Sequence, residues 1–122
     1  MRQKEVSSRN YCFDQYIDIN RWASYYRQIS EIVRSGPDSI LFIGVGDGIV
    51  PAIIKHALPD TLCDTFDFDE DLGPDIVGDV RNISEVVEKK YDCVLCCQVL
   101  EHIDYSYFSN IIGQLSEIVW IH

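Results

Sequence analysis

The residues able to do chemistry in this 122-residue chain gather at a few places. Gly44, Gly46 and Gly48 occupy alternate positions of the segment Gly44-Val45-Gly46-Asp47-Gly48. Glycine turns tightly and lets a ligand approach the backbone with no Cβ in between. A helix after such a turn aims N–H groups and a positive dipole end at the same point. A tight packing turn is the simpler reading of the glycines alone. Asp67 adds to them, because it ends the next apolar run, where a Rossmann-like site sets an acid against ribose hydroxyls. A carboxylate can accept both hydroxyls of a diol at once. The dinucleotide pattern G-x-G-x-x-G would need glycine at position 49, which is Ile49. With no basic residue in the loop either, a nucleoside lacking phosphates fits better than a pyrophosphate.

Three further constellations have plainer readings. Cys93-Val94-Leu95-Cys96-Cys97 contains a C-x-x-C, and His102 follows. Zinc or redox chemistry needs such cysteines on a turn, converging on one point. In a strand Cys93 and Cys97 face one way and Cys96 the other, so buried thiols and no metal are expected. Glu101 and His102 offer a base, or simply polar groups in front of a helix. Between Asp60 and Asp79 stand eight acids (60, 64, 67, 69, 70, 71, 75, 79) and no Lys, Arg or His. They fail the calcium-loop pattern, since Gly78 stands where counting from Asp67 demands the closing Glu. Those acids without a ligand role read as a solvated rim.

The elements that must position these residues follow from periodicity. Trp22, Tyr25, Tyr26, Ile29, Ile32 and Val33 recur at helical spacing, with Asp18 or Asn20 as N-cap and Ser35-Gly36-Pro37 as the stop. These aromatics are expected mainly in the core, some of them over a substrate pocket. Ser39 to Ile43 is a short apolar run, as in a strand buried on both faces. A helix is expected from Ile49 to Leu58, with Pro51 tolerated in its first turn. Strands are expected at Thr61 to Phe68, Asp75 to Gly78 and Tyr91 to Cys97. Helices are expected at Asn82 to Lys89 and Asp104 to Ile118, and Val119 to Ile121 is a possible fifth strand. Alternating strands and helices imply an α/β fold with a parallel sheet and right-handed crossovers.

Composition narrows the class. Ten Lys and Arg against 20 Asp and Glu give a net charge of −10, so binding to a nucleic-acid backbone is disfavoured. No run approaches the length of a membrane span, and residues 1 to 10 have no signal-peptide core. Five cysteines without a secretory signal are expected as reduced thiols in the cytoplasm. The organisation expected is an arm at 1–18 and one domain at 19–122.

Three stretches resemble class I S-adenosylmethionine (SAM)-dependent methyltransferases, in particular the methyltransferase type 11 group. They are ILFIGVGDG at 40–48, TFDFDEDLGPDIVGDV at 65–80 and YDCVLCCQVLEH at 91–102. The resemblance implies a Rossmann-like sheet and SAM as cofactor. It puts Gly44, Gly46 and Gly48 against the methionine part, Asp67 on the ribose diol and Phe68 on the adenine face. Asp79 would meet the adenine amino group, the backbone at Val80 a ring nitrogen, and Gln98 the methyl side. Glu101 or His102 would be the base.

The chain departs from the family at two places. Where the family has Asp or Glu two residues before the first glycine, as an anchor for the cofactor's ammonium group, this sequence has Phe42. Asp47 is the nearby acid that could compensate. Family members also continue into further strands, so the sequence reads as a C-terminally shortened, truncated form whose open sheet edge invites a homo-oligomer. The function expected is methyl transfer to a small-molecule or protein acceptor. The alternative is an inactive methyltransferase-fold protein acting as a SAM-binding or partner subunit.

Overall fold

The computed structural model describes residues 17–96 and 103–120. The arm at 1–18 therefore falls almost wholly outside the described residues, as do Cys97, Gln98, Glu101, His102 and His122.

Helix α1 spans Ile19–Ser35. Asp18 caps it, accepting the Arg21 N–H at 2.7 Å, and Gly36 ends it in the left-handed region at φ 57°. Strand β1 (Ser39–Ile43), helix α2 (Ile49–Ala57), strand β2 (Leu62–Asp67) and the two-residue strand β3 (Ile76–Val77) follow. Helix α3 is Ile83–Val86, strand β4 is Cys93–Cys96 and helix α4 is Phe108–Glu117.

All pairings are parallel, in the order β3-β2-β1-β4. That order is the one found in the first strands of the Rossmann-like class I methyltransferase fold. β1 lies inside the sheet and is buried on both faces, which its uninterrupted Ile40-Leu41-Phe42-Ile43 run requires. Ile40 and Phe42 pack with Tyr25, Ile32, Val50 and Ile54 on the α1–α2 side. Leu41 and Ile43 pack with Phe66, Ile83, Tyr91 and Ile111 on the α3–α4 side. Parallel pairing brings the carboxyl ends of all four strands to one edge, where ligands of open α/β sheets bind.

Several expectations are corrected. The helix expected at Asn82 to Lys89 shrinks to α3, preceded by a 3-10 turn at Val80–Asn82. Val87 turns extended and buries its side chain at 4% exposure, pulling the chain out of the helix. The last helix likewise begins as a 3-10 turn, Tyr105–Tyr107, capped by Asp104. Trp22, Tyr26 and Val33 are exposed while Tyr25 and Ile32 are buried. The six apolar positions of α1 fan over an arc of about 120° at 100° per residue, wider than the seam its neighbours cover. Of the possible fifth strand at Val119 to Ile121, the described residues hold one parallel bridge, between Tyr91 and Val119. The Tyr91 N–H donates to the Ile118 carbonyl and the Trp120 N–H to the Tyr91 carbonyl, both at 2.9 Å. The neighbouring Asp92 N–H points the opposite way, to Ser39 Oγ on β1. Val119 thus lies on the outer side of the β4 segment. Among the described residues no helix is long and apolar enough to cross a membrane.

Candidate functional site

The site is built where β1 and β2 end. The Gly44 N–H still donates to the Phe66 carbonyl at 2.8 Å, extending the β1–β2 ladder by one bond. The chain then leaves the sheet through Gly44, Gly46 and Gly48 at φ 90°, 57° and 77°. These positive φ values account for glycine at all three positions. A Cβ built on Gly48 meets nothing within 4 Å among the described residues, so there is space beside the backbone at that position. Gly48 is the N-cap of α2, so the positive dipole end of that helix lies at this turn. Pro51, inside the first turn, removes one N–H that would have had no helical partner.

Two carboxylates flank the turn. Asp67, the last residue of β2, accepts the Val45 N–H on Oδ2 at 2.7 Å and the Asp69 N–H on Oδ1 at 2.9 Å. It braces the glycine turn from the adjacent strand, and each oxygen retains a second lone pair for a ligand hydroxyl. Asp47, within the turn, accepts the Ile49 N–H on Oδ1 at 3.0 Å and the Tyr25 hydroxyl on Oδ2 at 2.8 Å. Phe68 follows Asp67 and is half-buried. Phe42 is 2% exposed in the apolar layer with Tyr25, so no carboxylate rises from β1 at this point.

The adenine side is arranged differently from the expectation. Asp79 caps the 3-10 turn by accepting the Arg81 N–H at 2.9 Å. The Arg81 guanidinium also donates from Nε to both Asp79 oxygens at 3.0 Å and from Nη2 to Oδ2. The hydrogen bonds it donates to Asp79 raise the Arg81 pKa above its ordinary value, and the guanidinium lies over the Tyr107 ring at 5.3 Å. An amino group approaching Asp79 meets a carboxylate already held by a cation. Val80 is buried at 1% exposure. Gln114 of α4 fixes the backbone beyond it, donating from Nε2 to the Arg81 carbonyl at 2.6 Å and accepting the Ser84 N–H at 3.0 Å.

The remaining acids are not a uniform rim. Asp64 accepts the buried Tyr91 hydroxyl at 2.7 Å and pairs with Lys89 at 2.9 Å. Partial burial pushes its carboxyl up, but the Tyr91 and Lys89 hydrogen bonds outweigh it and hold the pKa below the usual carboxylate range. Asp75 accepts the Thr65 N–H and Oγ1 and returns its own N–H to Thr65 Oγ1. Asp69 is 5% exposed and caps the 3-10 turn Glu70–Leu72, accepting the Asp71 N–H. The strand also separates the C-x-x-C as expected. Cys93 packs on the α1–α2 face and Cys96 on the α3–α4 face, so the two thiols cannot converge on one ion. Burial raises the Cys93 thiol pKa, and Asp92 adds to the shift.

Sequence reasoning missed the partnerships of Tyr25 with Asp47 and Arg81 with Asp79. The first had no short-range signal, since 22 residues separate the pair. No protein-family model matches the chain, and no curated protein matches it. What it shares with class I methyltransferases is topology: this is a small α/β domain with the strand order of the N-terminal Rossmann-like core of that fold.

Proposed function

We propose that residues 19–122 form a SAM-binding domain that transfers a methyl group to a small-molecule or protein acceptor, in the cytoplasm. The observation that carries this reading is Asp67 at the tip of β2, accepting the Val45 N–H of the glycine turn. A diol-accepting carboxylate beside a backbone without Cβ atoms suits a nucleoside. The absence of Lys, Arg and His from residues 40–54 argues against a phosphate.

In this reading Gly44, Gly46, Asp47 and Gly48 border the amino-acid end of the cofactor. Asp67 holds the ribose hydroxyls, Phe68 packs on the base, and Asp79 and the Val80 backbone meet its polar edge. For Asp79 to do so, Arg81 must share or release one carboxylate oxygen. Gln98 lines the methyl side. When bound, SAM supplies a methyl group already activated by the positive sulfur. The chain's own contribution is then placement and exclusion of water, effects that supply about 7 to 11 kcal/mol in favourable cases. Glu101 or His102 takes the acceptor's proton when it must leave early.

The test is S-adenosylhomocysteine binding before and after Asp67→Ala. Loss of a hydrogen bond to a charged group predicts a fall of about tenfold or more. Unchanged affinity would remove Asp67 from the site. A second reading, cofactor binding without turnover as a partner subunit, is favoured by Phe42 and by the Arg81 clasp on Asp79. It predicts adenosyl-ligand binding with no methyl transfer to any acceptor supplied.

A further inference from the structure

Arg81 occupies the acceptor sites of a carboxylate that the resemblance would leave open. Asp79 Oδ1 accepts the Arg81 backbone N–H at 2.9 Å and Arg81 Nε at 3.0 Å. Oδ2 accepts Nε at 3.0 Å and also Nη2. A carboxylate offers about four lone-pair sites, and these contacts use them. The guanidinium has five N–H groups and commits only its Nε–H and one from Nη2 to them. The pair therefore turns donors toward the carboxyl edge of the sheet, where a free aspartate would turn acceptors.

Arg81 is held in this pose by the segment that leads into α4 and by α4 itself. Its guanidinium lies over the Tyr107 ring at 5.3 Å, and its carbonyl accepts Gln114 Nε2 at 2.6 Å. The Arg81 side chain is 33% exposed and that of Asp79 22%, so water screens the pair only in part. A neutral amino group is a weaker partner for a carboxylate than a two-point guanidinium, so it does not displace the fork without cost.

We propose that Arg81 is an autoinhibitory clasp on Asp79, which cancels the selectivity for an amino-bearing purine that a free carboxylate would give. This rests on reading the edge as an adenosyl-ligand site. The clasp leaves the ribose and amino-acid ends of that site untouched, so it weakens recognition of the base alone.

The experiment compares S-adenosylhomocysteine with the analogue whose base is unsubstituted purine, which lacks only the amino group. Both are titrated calorimetrically into the parent chain, Arg81→Ala and Arg81→Lys. The parent is expected to bind the two within about threefold of each other, as for a carboxylate already engaged. Arg81→Ala frees Asp79 and should prefer the amino ligand by about tenfold or more. Arg81→Lys keeps a cation but not the planar fork and should give an intermediate preference. A fold defect would weaken both ligands alike, so the ratio isolates the clasp. A ratio unchanged in Arg81→Ala, or a parent that already prefers the amino ligand tenfold, overturns the clasp and leaves the cofactor reading standing. Binding of neither ligand to the folded parent or to either variant overturns the cofactor reading and the clasp with it.

Discussion

Single carboxylates in this protein organise backbone over long sequence distances. Asp67 joins β2 to the glycine turn, Asp64 joins β2 to Tyr91, and Asp75 joins the start of β3 to Thr65. The Asp64 link has a pH signature. Its folded-state carboxyl is held below the ordinary value, so on acidification the unfolded chain takes up this proton first. The stabilisation is full above the ordinary carboxylate range and is lost as pH falls through the folded value. Tyr91→Phe, which removes one buried hydroxyl, should cost about 1 to 3 kcal/mol at neutral pH. It should also flatten the acid limb of a denaturation series. Equal costs at neutral and acid pH would assign the loss to packing instead. At this scale the glycines and Asp67 were legible in the sequence because a turn and an acid recur at a fixed spacing. The partners of Asp47 and Asp64 were not, because only the fold brings Tyr25 and Tyr91 to them, whereas Arg81 reaches Asp79 locally, two residues away.

At the scale of elements, both capping and contact decide where things stop. The sequence located α1, β1, α2 and β2 closely, because caps, glycines and unbroken apolar runs mark them. It overestimated α3, where Ile83, Val86 and Val87 are apolar but their burial on the sheet favours an extended exit. It could not rank the apolar residues of α1, since Trp22 and Tyr25 look alike until one neighbour is covered. Gly78, after β3, has a role that periodicity cannot show. A Cβ there would sit 3.0 Å from Phe66 Cε2, 3.1 Å from Cζ and 3.3 Å from Val86 Cγ1. Phe66 is 1% exposed and has nowhere to retreat. Gly78→Ala should therefore destabilise the fold by about 1 to 3 kcal/mol through overpacking, read as a lowered denaturation midpoint. A neutral outcome would mean that the edge strand β3 shifts freely away from Phe66.

For the whole molecule, topology gathers the candidate site and charge limits its ligands. A parallel sheet in the order β3-β2-β1-β4 brings the glycine turn, Asp67 and the Asp79–Val80 turn to one edge. The Tyr91–Val119 bridge continues that order outward past β4. Alternation of strands and helices made the α/β class readable in advance, whereas the strand order follows from pairing over long separations. In the proposed reading, a net charge of −10 and two carboxylates at the turn would disfavour polyanions and pyrophosphates. The central claim is that this edge binds an adenosyl ligand without phosphates. Its most direct test is calorimetric titration of the purified chain with SAM and S-adenosylhomocysteine, with NAD as the control. Micromolar, one-to-one binding of the two adenosyl ligands and none of NAD is the predicted result. A folded chain that binds neither, or that binds NAD in preference, would contradict the account.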